Sequence, residues 1–425
     1  MFQDNPLLAQ LKQQIRENIP KKEGVIRASD RGFGFLEVDE KTSYFVPPPY
    51  MKKVMHGDRV SALIRTEKEK EVAEPDALLE QAVVRFVGRV KMFRDRLNVV
   101  PDHPLIKDAI KARAKKGLDE KSFKEGDWVV ATLKRHALSD GNFSAEISHK
   151  IADQEDHNVP WWVVLARHNL AQVEPADLPE WKVIEEEELP RRDLTAVPFF
   201  TIDGAKTKDM DDALAITKLD NGWELLVAIA DPTAYVAEGS ELDKEAAQRA
   251  FTVYMPGRNV PMIPRTLSDE LCSLKEGEER NTLCARLLIA EDGLLLEETE
   301  FFAARINSHA RLSYDDVSDW AEHGKALDID AGVLAQLPLM KAMTEARIKW
   351  RTEHALVFPD RPDYDFELGE DGEVLAIHVE PRRIANRMIE ESMIAATDFL
   401  ARSFTWRLPG AALLRGAGLA ALQRF

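Results

Sequence analysis

The sequence predicts an α+β chain in which two tandem small β-barrels precede a partial domain of mixed α/β type. Three observations carry that expectation. A strand-and-turn pattern occurs twice in the first 150 residues, an apolar run at 197–203 ends in a cluster of four aspartates, and later segments pair an alternating strand with a helical stretch. Charge divides the chain in the same place: residues 1–150 hold 28 Lys+Arg against 23 Asp+Glu, and residues 151–425 hold 29 against 51. A mildly basic front joined to a strongly acidic back bears on partners rather than on fold.

At 425 residues the chain is long for a single core, so several domains are expected. Residues 1–18 read as a short amphipathic helix. The early Asp4 and polar interruptions in "MFQDNPLLAQLKQQI" argue against a secretory signal. Mean hydropathy is −0.32, and no apolar run approaches the roughly 20 residues needed to span a bilayer. Cys272 and Cys284 are too few for a disulfide framework or a zinc site. A reducing, cytoplasmic setting without membrane association follows, with the chain acting as a monomer.

Residues 19–85 and 86–175 are expected to form the two barrels. "EGVIRAS" followed by "HGDRVSALI" echoes "VGRVKMF" followed by "EGDWVVATL", at an offset of 64 residues for Gly24/Gly88 and 69 for Gly57/Gly126. Each copy is one folding unit, and short alternating strands between Gly, Asp and Pro turns suit a small barrel. In the first copy, alternation through "GFGFLEV" places Phe33 and Phe35 on one face. With Lys21, Lys22, Arg27, Arg31, Lys52 and Lys53 around them, these rings suit stacking on single-stranded nucleic acid, while burial in the barrel core fits the pattern equally well. "GFGF", "YFVPPP" and "HGDRV" resemble a cold-shock (OB-fold) domain. The second copy keeps the framework without the Phe-Gly-Phe run, and its Trp161 and Trp162 read as packing residues. Residues 176–192, acidic and punctuated by proline, read as a linker.

The third domain, 193–400, opens with "VPFFTID", a β-type run that delivers Asp203 at its end. "GAKTKDMDDAL" then turns at Gly204 and presents Asp209, Asp211 and Asp212. Clustered carboxylates repel, and burial raises their pKa unless cations sit between them. Oxygen donors with no Cys or His nearby select Mg²⁺, or Mn²⁺, over zinc. Such ions activate water and stabilise a leaving oxygen in phosphodiester cleavage. The D-x-D-x-D-G calcium-loop pattern is absent, which leaves an exposed acidic turn as the plain alternative.

The neighbouring segments narrow the choice. "TIDGAKTKDMDDAL", "LLVAIADPTAYV", "VPMIPRTLSDELCSL", "RINSHARLSYDDV" and "PRRIANRMIEESMIAA", in that order, resemble the catalytic domain of the ribonuclease II (RNB) exoribonuclease family. The resemblance implies processive 3′→5′ hydrolysis of single-stranded RNA to nucleoside 5′-monophosphates with Mg²⁺. It implies Asp203, Asp209 and Asp212 as metal ligands and Asp211 as the carboxylate most critical to the chemical step. By the same resemblance Tyr254 meets the 3′-terminal nucleotide, Phe358 clamps a base stack, and Tyr314 and Glu390 orient the ribose and favour RNA over DNA. Each has a plainer reading: Tyr254 as a turn aromatic, Tyr314 as core, Phe358 as loop packing, and Glu390 as the partner of Arg387 in a surface pair, with Glu391 the adjacent candidate.

The likeness is expected to stop near residue 400. Residues 401–425 contain no acid and are rich in Ala, Leu, Gly and Arg, and no Ser-Pro-Ile-Arg stretch supplies the family's phosphate-binding arginine. The segment reads either as a foreign tail on a truncated catalytic domain or as an unfamiliar terminal helix. Two functions follow for test: a metal-dependent exoribonuclease, or an RNA-binding remnant that is catalytically dead. A DNA nuclease is a third, disfavoured by Tyr314 and Glu390.

Overall fold

The computed structural model describes residues 19–67, 70–184, 190–355, 362–370 and 372–407, with side chains described to residue 397. The N-terminal helix expected at 1–18 and most of the expected tail (408–425) therefore lie outside the described residues, as does Phe358. The chain divides into two compact units, Met1–Gln172 and Val173–Phe425. Among the described residues no helix is long and apolar enough to cross a membrane.

The first unit holds two closed five-stranded barrels. β1 (Lys21–Ala28), β2 (Gly34–Glu37), β3 (Ser43–Val46), β4 (Arg59–Glu67) and β5 (Lys70–Glu80) close in the order β1-β2-β3-β5-β4. β6 (Arg85–Phe93), β7 (Arg96–Pro101), β8 (Ile110–Ala114), β9 (Trp128–Arg135) and β10 (Ser144–Ala152) close in the same cyclic order. In both, the third and fifth strands pair parallel. The repeated sequence is thus a repeated topology.

The physics of the repeat is local. Gly57 and Gly126 sit at φ +90° and +87°, a left-handed turn that side chains disfavour. The aspartate after each folds back on its own turn: Asp58 Oδ2 accepts from Met55 N, and Asp127 Oδ2 accepts from Lys124 N at 2.8 Å. Gly24 and Gly88 mark close backbone approach, since an added Cβ would stand 2.4 Å from the Glu37 carbonyl oxygen and 2.5 Å from that of Val100. Trp161 and Trp162, both half-buried, lie on the Val159–Arg167 helix, and the Trp162 indole donates to Asp156 Oδ2 at 3.1 Å.

The second unit is built on a third closed barrel. β11 (Arg192–Asp203), β12 (Asp212–Leu219), β13 (Gly222–Ala230), β16 (Glu279–Ala290) and β17 (Glu300–Ser313) close in the order β11-β12-β13-β16-β17. Two hairpins stand apart, β14 (Val253–Met255) with β15 (Arg258–Val260) and β18 (Asp363–Leu368) with β19 (Val374–Glu380). Phe199, Phe200, Thr201 and Ile202 are all buried, because both faces of β11 are covered. Phe200 and Ile202 join a core completed by the Leu337–His354 and Ile384–Arg407 helices, while Phe199 packs with Met210, Leu267, Cys272 and Cys284. Both cysteines are free, and burial pushes their thiols up, to about 12 for Cys272 and about 11 for Cys284.

Candidate active site

β11 ends on Asp203. β12 begins on Asp212 and runs antiparallel beside it, with Phe200 opposite Leu214. The two carboxylates therefore emerge at one rim of the barrel, and residues 204–211 form the loop between them. That loop is clamped through its main chain. Arg311 Nη2, from the strand next to β11, donates to the carbonyls of Ala205 at 3.1 Å and Thr207 at 2.7 Å. Ser273 Oγ donates to the Lys208 carbonyl at 2.7 Å and accepts from Met210 N at 3.1 Å. Buried Met210 anchors the loop in the barrel core. Neither Ser273 nor Arg311 was singled out by the sequence, although both lie in the quoted segments "DELCSL" and "SHARLSY".

The electrostatics follow from crowding. Burial, reinforced by Asp209 and opposed by Arg311, pushes the Asp203 carboxyl up to about 6. Burial pushes Asp212 to about 7, with Asp203 and Asp211 adding to the effect. Asp211 keeps solvent contact, yet it lies deep enough in the surrounding protein that lost solvation, then the charges of Asp209, Asp203 and Asp269, carry it to about 6. Asp203 Oδ2 and Asp212 Oδ2 are buried without a hydrogen-bond partner.

Two aromatic candidates join this cluster. Tyr254, on β14, has an exposed ring, and its hydroxyl donates to Asp209 Oδ2 at 2.9 Å. Tyr314 opens the Tyr314–His323 helix directly after Ser313, which pairs in register with Asp203. Burial, followed by the charges of Asp212, Asp203 and Glu380, pushes its phenol up to about 12. Asp269, which the sequence reading passed over, also belongs to the neighbourhood and is held by Arg265 at 3.5 Å.

Glu390 is placed differently. It lies half-buried on the Ile384–Arg407 helix and pairs with Arg387 at 3.2 Å and Arg382 at 3.6 Å, so the ion pair that the spacing suggested is present. Glu391 is distinguished from it by burial. It is 2% exposed and engaged by Arg351 Nη1 and, at 4.0 Å, by Arg347 Nε. A side chain so committed to joining two helices leaves Glu390 as the one of the two that reaches solvent.

In the first unit the aromatic pair is a triplet. Phe33 and Phe35 have ring centroids 5.8 Å apart, and Phe45 lies 5.5 Å from the first and 6.0 Å from the second. Phe35 and Phe45 are 39% and 38% exposed, so the face is a surface and not the barrel core. Sequence reasoning missed Phe45, which joins the face only through the pairing of β3 with β2 that sets it opposite Phe35.

The rim chemistry is that of a hard-cation site: oxygen donors only, with two buried carboxylate oxygens lacking any partner. As they stand, among the described residues, no three His, Cys, Asp or Glu side chains converge tightly enough to enclose an ion. The donor set and its orphaned oxygens nevertheless fit a divalent cation, which would offset the lost solvation, and with it the lesser mutual repulsion, that raises their pKa values.

Two oligonucleotide-type barrels ahead of an acid-rimmed third define the architectural class. Residues 191–424 match the RNB domain, residues 24–80 the Ribonuclease B OB domain and residues 99–173 the Cold shock domain. The chain belongs to the RNB domain family. The match runs to residue 424, into the stretch that the sequence reading set apart as a tail. The chain is 95% identical over 396 residues to Exoribonuclease 2 of Aeromonas hydrophila, covering 93% of this chain and 59% of that protein. It is 58% identical over 401 residues to Exoribonuclease 2 of Vibrio cholerae, with the same coverage. The chain thus spans about 59% of the length of these curated relatives. The structure of Mycoplasma genitalium RNase R in complex with ribose methylated single-stranded RNA shares the fold, with a TM-score of 0.71 at 22% identity, over 90% of this chain and 62% of that one.

Proposed function

We propose that this chain carries the carboxylate centre of a 3′→5′ exoribonuclease that hydrolyses single-stranded RNA processively to nucleoside 5′-monophosphates. The observation that carries the reading is the rim of the third barrel: carboxylates held close together with raised pKa, two of their buried oxygens unpartnered, in a chain 95% identical to an Exoribonuclease 2. Asp203, Asp209 and Asp212 would hold Mg²⁺, with Mn²⁺ an alternative. Such an ion, when bound, supplies an activated water and stabilises the oxygen that leaves the phosphate. Asp211, solvent-accessible within the cluster, is the carboxylate reserved for the chemical step.

The remaining side chains divide grip from chemistry. The Tyr254 ring stacks on the 3′-terminal nucleotide, Tyr314 and Glu390 orient the ribose, and Phe358 clamps the base stack. Phe33, Phe35 and Phe45 offer a stacking face on the first barrel, which suits recognition of any sequence. We read the domain limits as 19–85, 86–175 and 193–400. Two free, buried thiols fit a reducing, cytoplasmic setting, and we read the chain as a monomer.

A second reading has its own observation. Phe33, Phe35 and Phe45 form a partly exposed stacking face on the first barrel, and that face by itself supports an RNA-binding module without turnover. One experiment separates the two. The 425-residue chain is incubated with labelled poly(A) and Mg²⁺, and binding and released monophosphates are followed together. Release that Asp211→Asn abolishes, on the order of a hundredfold or more, with poly(A) affinity kept, supports the enzyme. Binding without release supports the module.

A further inference from the structure

Tyr254 carries two groups, and the structure gives them different work. Its ring is exposed at the rim of the cluster, whereas its hydroxyl is committed to Asp209 Oδ2 at 2.9 Å. The loop bearing Asp209 is clamped through its main chain by Arg311 and Ser273, and neither clamp touches the Asp209 carboxylate. Among the described residues, the phenol is the only hydrogen-bond donor that reaches that side chain.

The donor itself is braced from behind. Arg265 Nη2 donates to both the carbonyl and the side-chain oxygen of Asn259, the cross-strand partner of Tyr254, at 3.1 and 2.6 Å. Thr252 Oγ1 accepts from Met262 N at 3.1 Å, and the Gly257 turn packs so closely on Leu368 that an added Cβ would stand 2.3 Å from its Cδ1. Arg265 is fixed in turn by Glu174 at 2.7 Å. A ring needs no such bracing to stack on a passing base, but a hydroxyl that must hold a carboxylate in one rotamer does.

We propose that the Tyr254 hydroxyl is a positioning group for the metal site: it orients the Asp209 carboxylate toward a divalent cation, independently of what the ring does for a nucleotide. The inference rests on the metal reading of the cluster given above. One oxygen of Asp209 accepts from the phenol, which leaves the other free to ligate. The rotamer entropy of an otherwise loose acid is then lost before the ion arrives.

The test is a Mn²⁺ titration of the 425-residue chain, with free Mn²⁺ read by electron paramagnetic resonance. Tyr254→Phe keeps the ring and deletes the donor. It is expected to weaken Mn²⁺ binding roughly tenfold, while the melting temperature in EDTA stays at the wild-type value. Tyr254→Trp, which keeps an aromatic face but displaces the donor, is expected to show the same loss. Tyr254→Phe binding Mn²⁺ as tightly as wild type, or tighter, overturns the proposal and leaves the metal reading intact. A loss matched by a lower melting temperature in EDTA marks a structural tyrosine and also overturns it. A wild-type chain that binds no Mn²⁺ ends the metal reading and this inference with it.

Discussion

Asp58 and Asp127 in the first unit and Asp203 and Asp212 in the second all stand at strand ends, yet they are finished differently. Asp58 is fully buried and satisfied: Oδ2 accepts from Met55 N and His136 Nε2, and Oδ1 accepts from Ala82 N. Asp127, 2% exposed, accepts from Lys124 N and pairs with Lys150 Nζ at 2.9 Å. Asp203 and Asp212 are left with an unpartnered oxygen each and face further carboxylates. A protein that builds complete partners around two buried aspartates can do so elsewhere. Leaving two others incomplete at one rim is the mark of a site that receives a ligand.

The comparison breaks most visibly through Asp58. Asp58→Ala strands the amides of Met55 and Ala82 and the ring of His136 in the interior, at a cost of about 3–5 kcal/mol to the first unit. Asp127→Ala is expected to cost less, about 1–2 kcal/mol, because Lys150 is partly exposed and also reaches Asp153. Amide exchange of β1 and β4 for the first variant, and of β6 and β9 for the second, measures both. Equal losses would show that the two turns are not distinguished by their partners.

A smaller effect sharpens the comparison on the binding side. Phe45→Ala removes one ring of the first-barrel triplet, two of whose members are exposed, and is expected to weaken poly(A) binding by about 1 kcal/mol. Stability should scarcely change. Unchanged affinity in a gel-shift titration would return these rings to a packing role.

The fold was legible where a motif is completed within a few residues. The Gly-Asp turns, the strand ending on Asp203 and the helix bearing Glu390 each declare themselves in a short window. What the sequence left open needed contacts between distant positions. Whether Phe33 and Phe35 face water depends on which side of β2 the barrel covers, and Phe45 comes from a neighbouring strand. Ser273 and Arg311 reach the acidic loop from 63 to 106 residues away, so no local period announces them. Glu390 and Glu391 are adjacent and alike in sequence. Arg347 and Arg351 on another helix decide which one is buried.

The least perturbing test of the comparison is pH. Asp203, Asp211 and Asp212 have folded pKa values of about 6, 6 and 7, raised above the ordinary 3.8. A raised carboxyl means that the folded state holds its proton more tightly than the unfolded state does. The stability it contributes is therefore complete below about pH 4 and is lost as pH rises through 6 to 7. Carboxyls held low, such as Asp39, Asp153 and Asp177, act oppositely, but they lose their contribution only below the ordinary carboxylate range. Between pH 7.5 and 5, then, the second unit in EDTA should become more stable as acid is added. The gain is on the order of 3 kcal/mol, or about 6–12 °C, with the part from Asp211 reduced by water screening. Asp212→Asn should raise the melting temperature at pH 7.5 and flatten this dependence, because the charge that burial disfavours is gone. Mg²⁺ should stabilise the wild type more at pH 7.5 than at pH 5, where protons already occupy the carboxylates. A metal-free melting temperature that falls steadily from pH 7.5 to 5 would mean that the rim aspartates are as well satisfied as Asp58, and the contrast between the two regions would disappear.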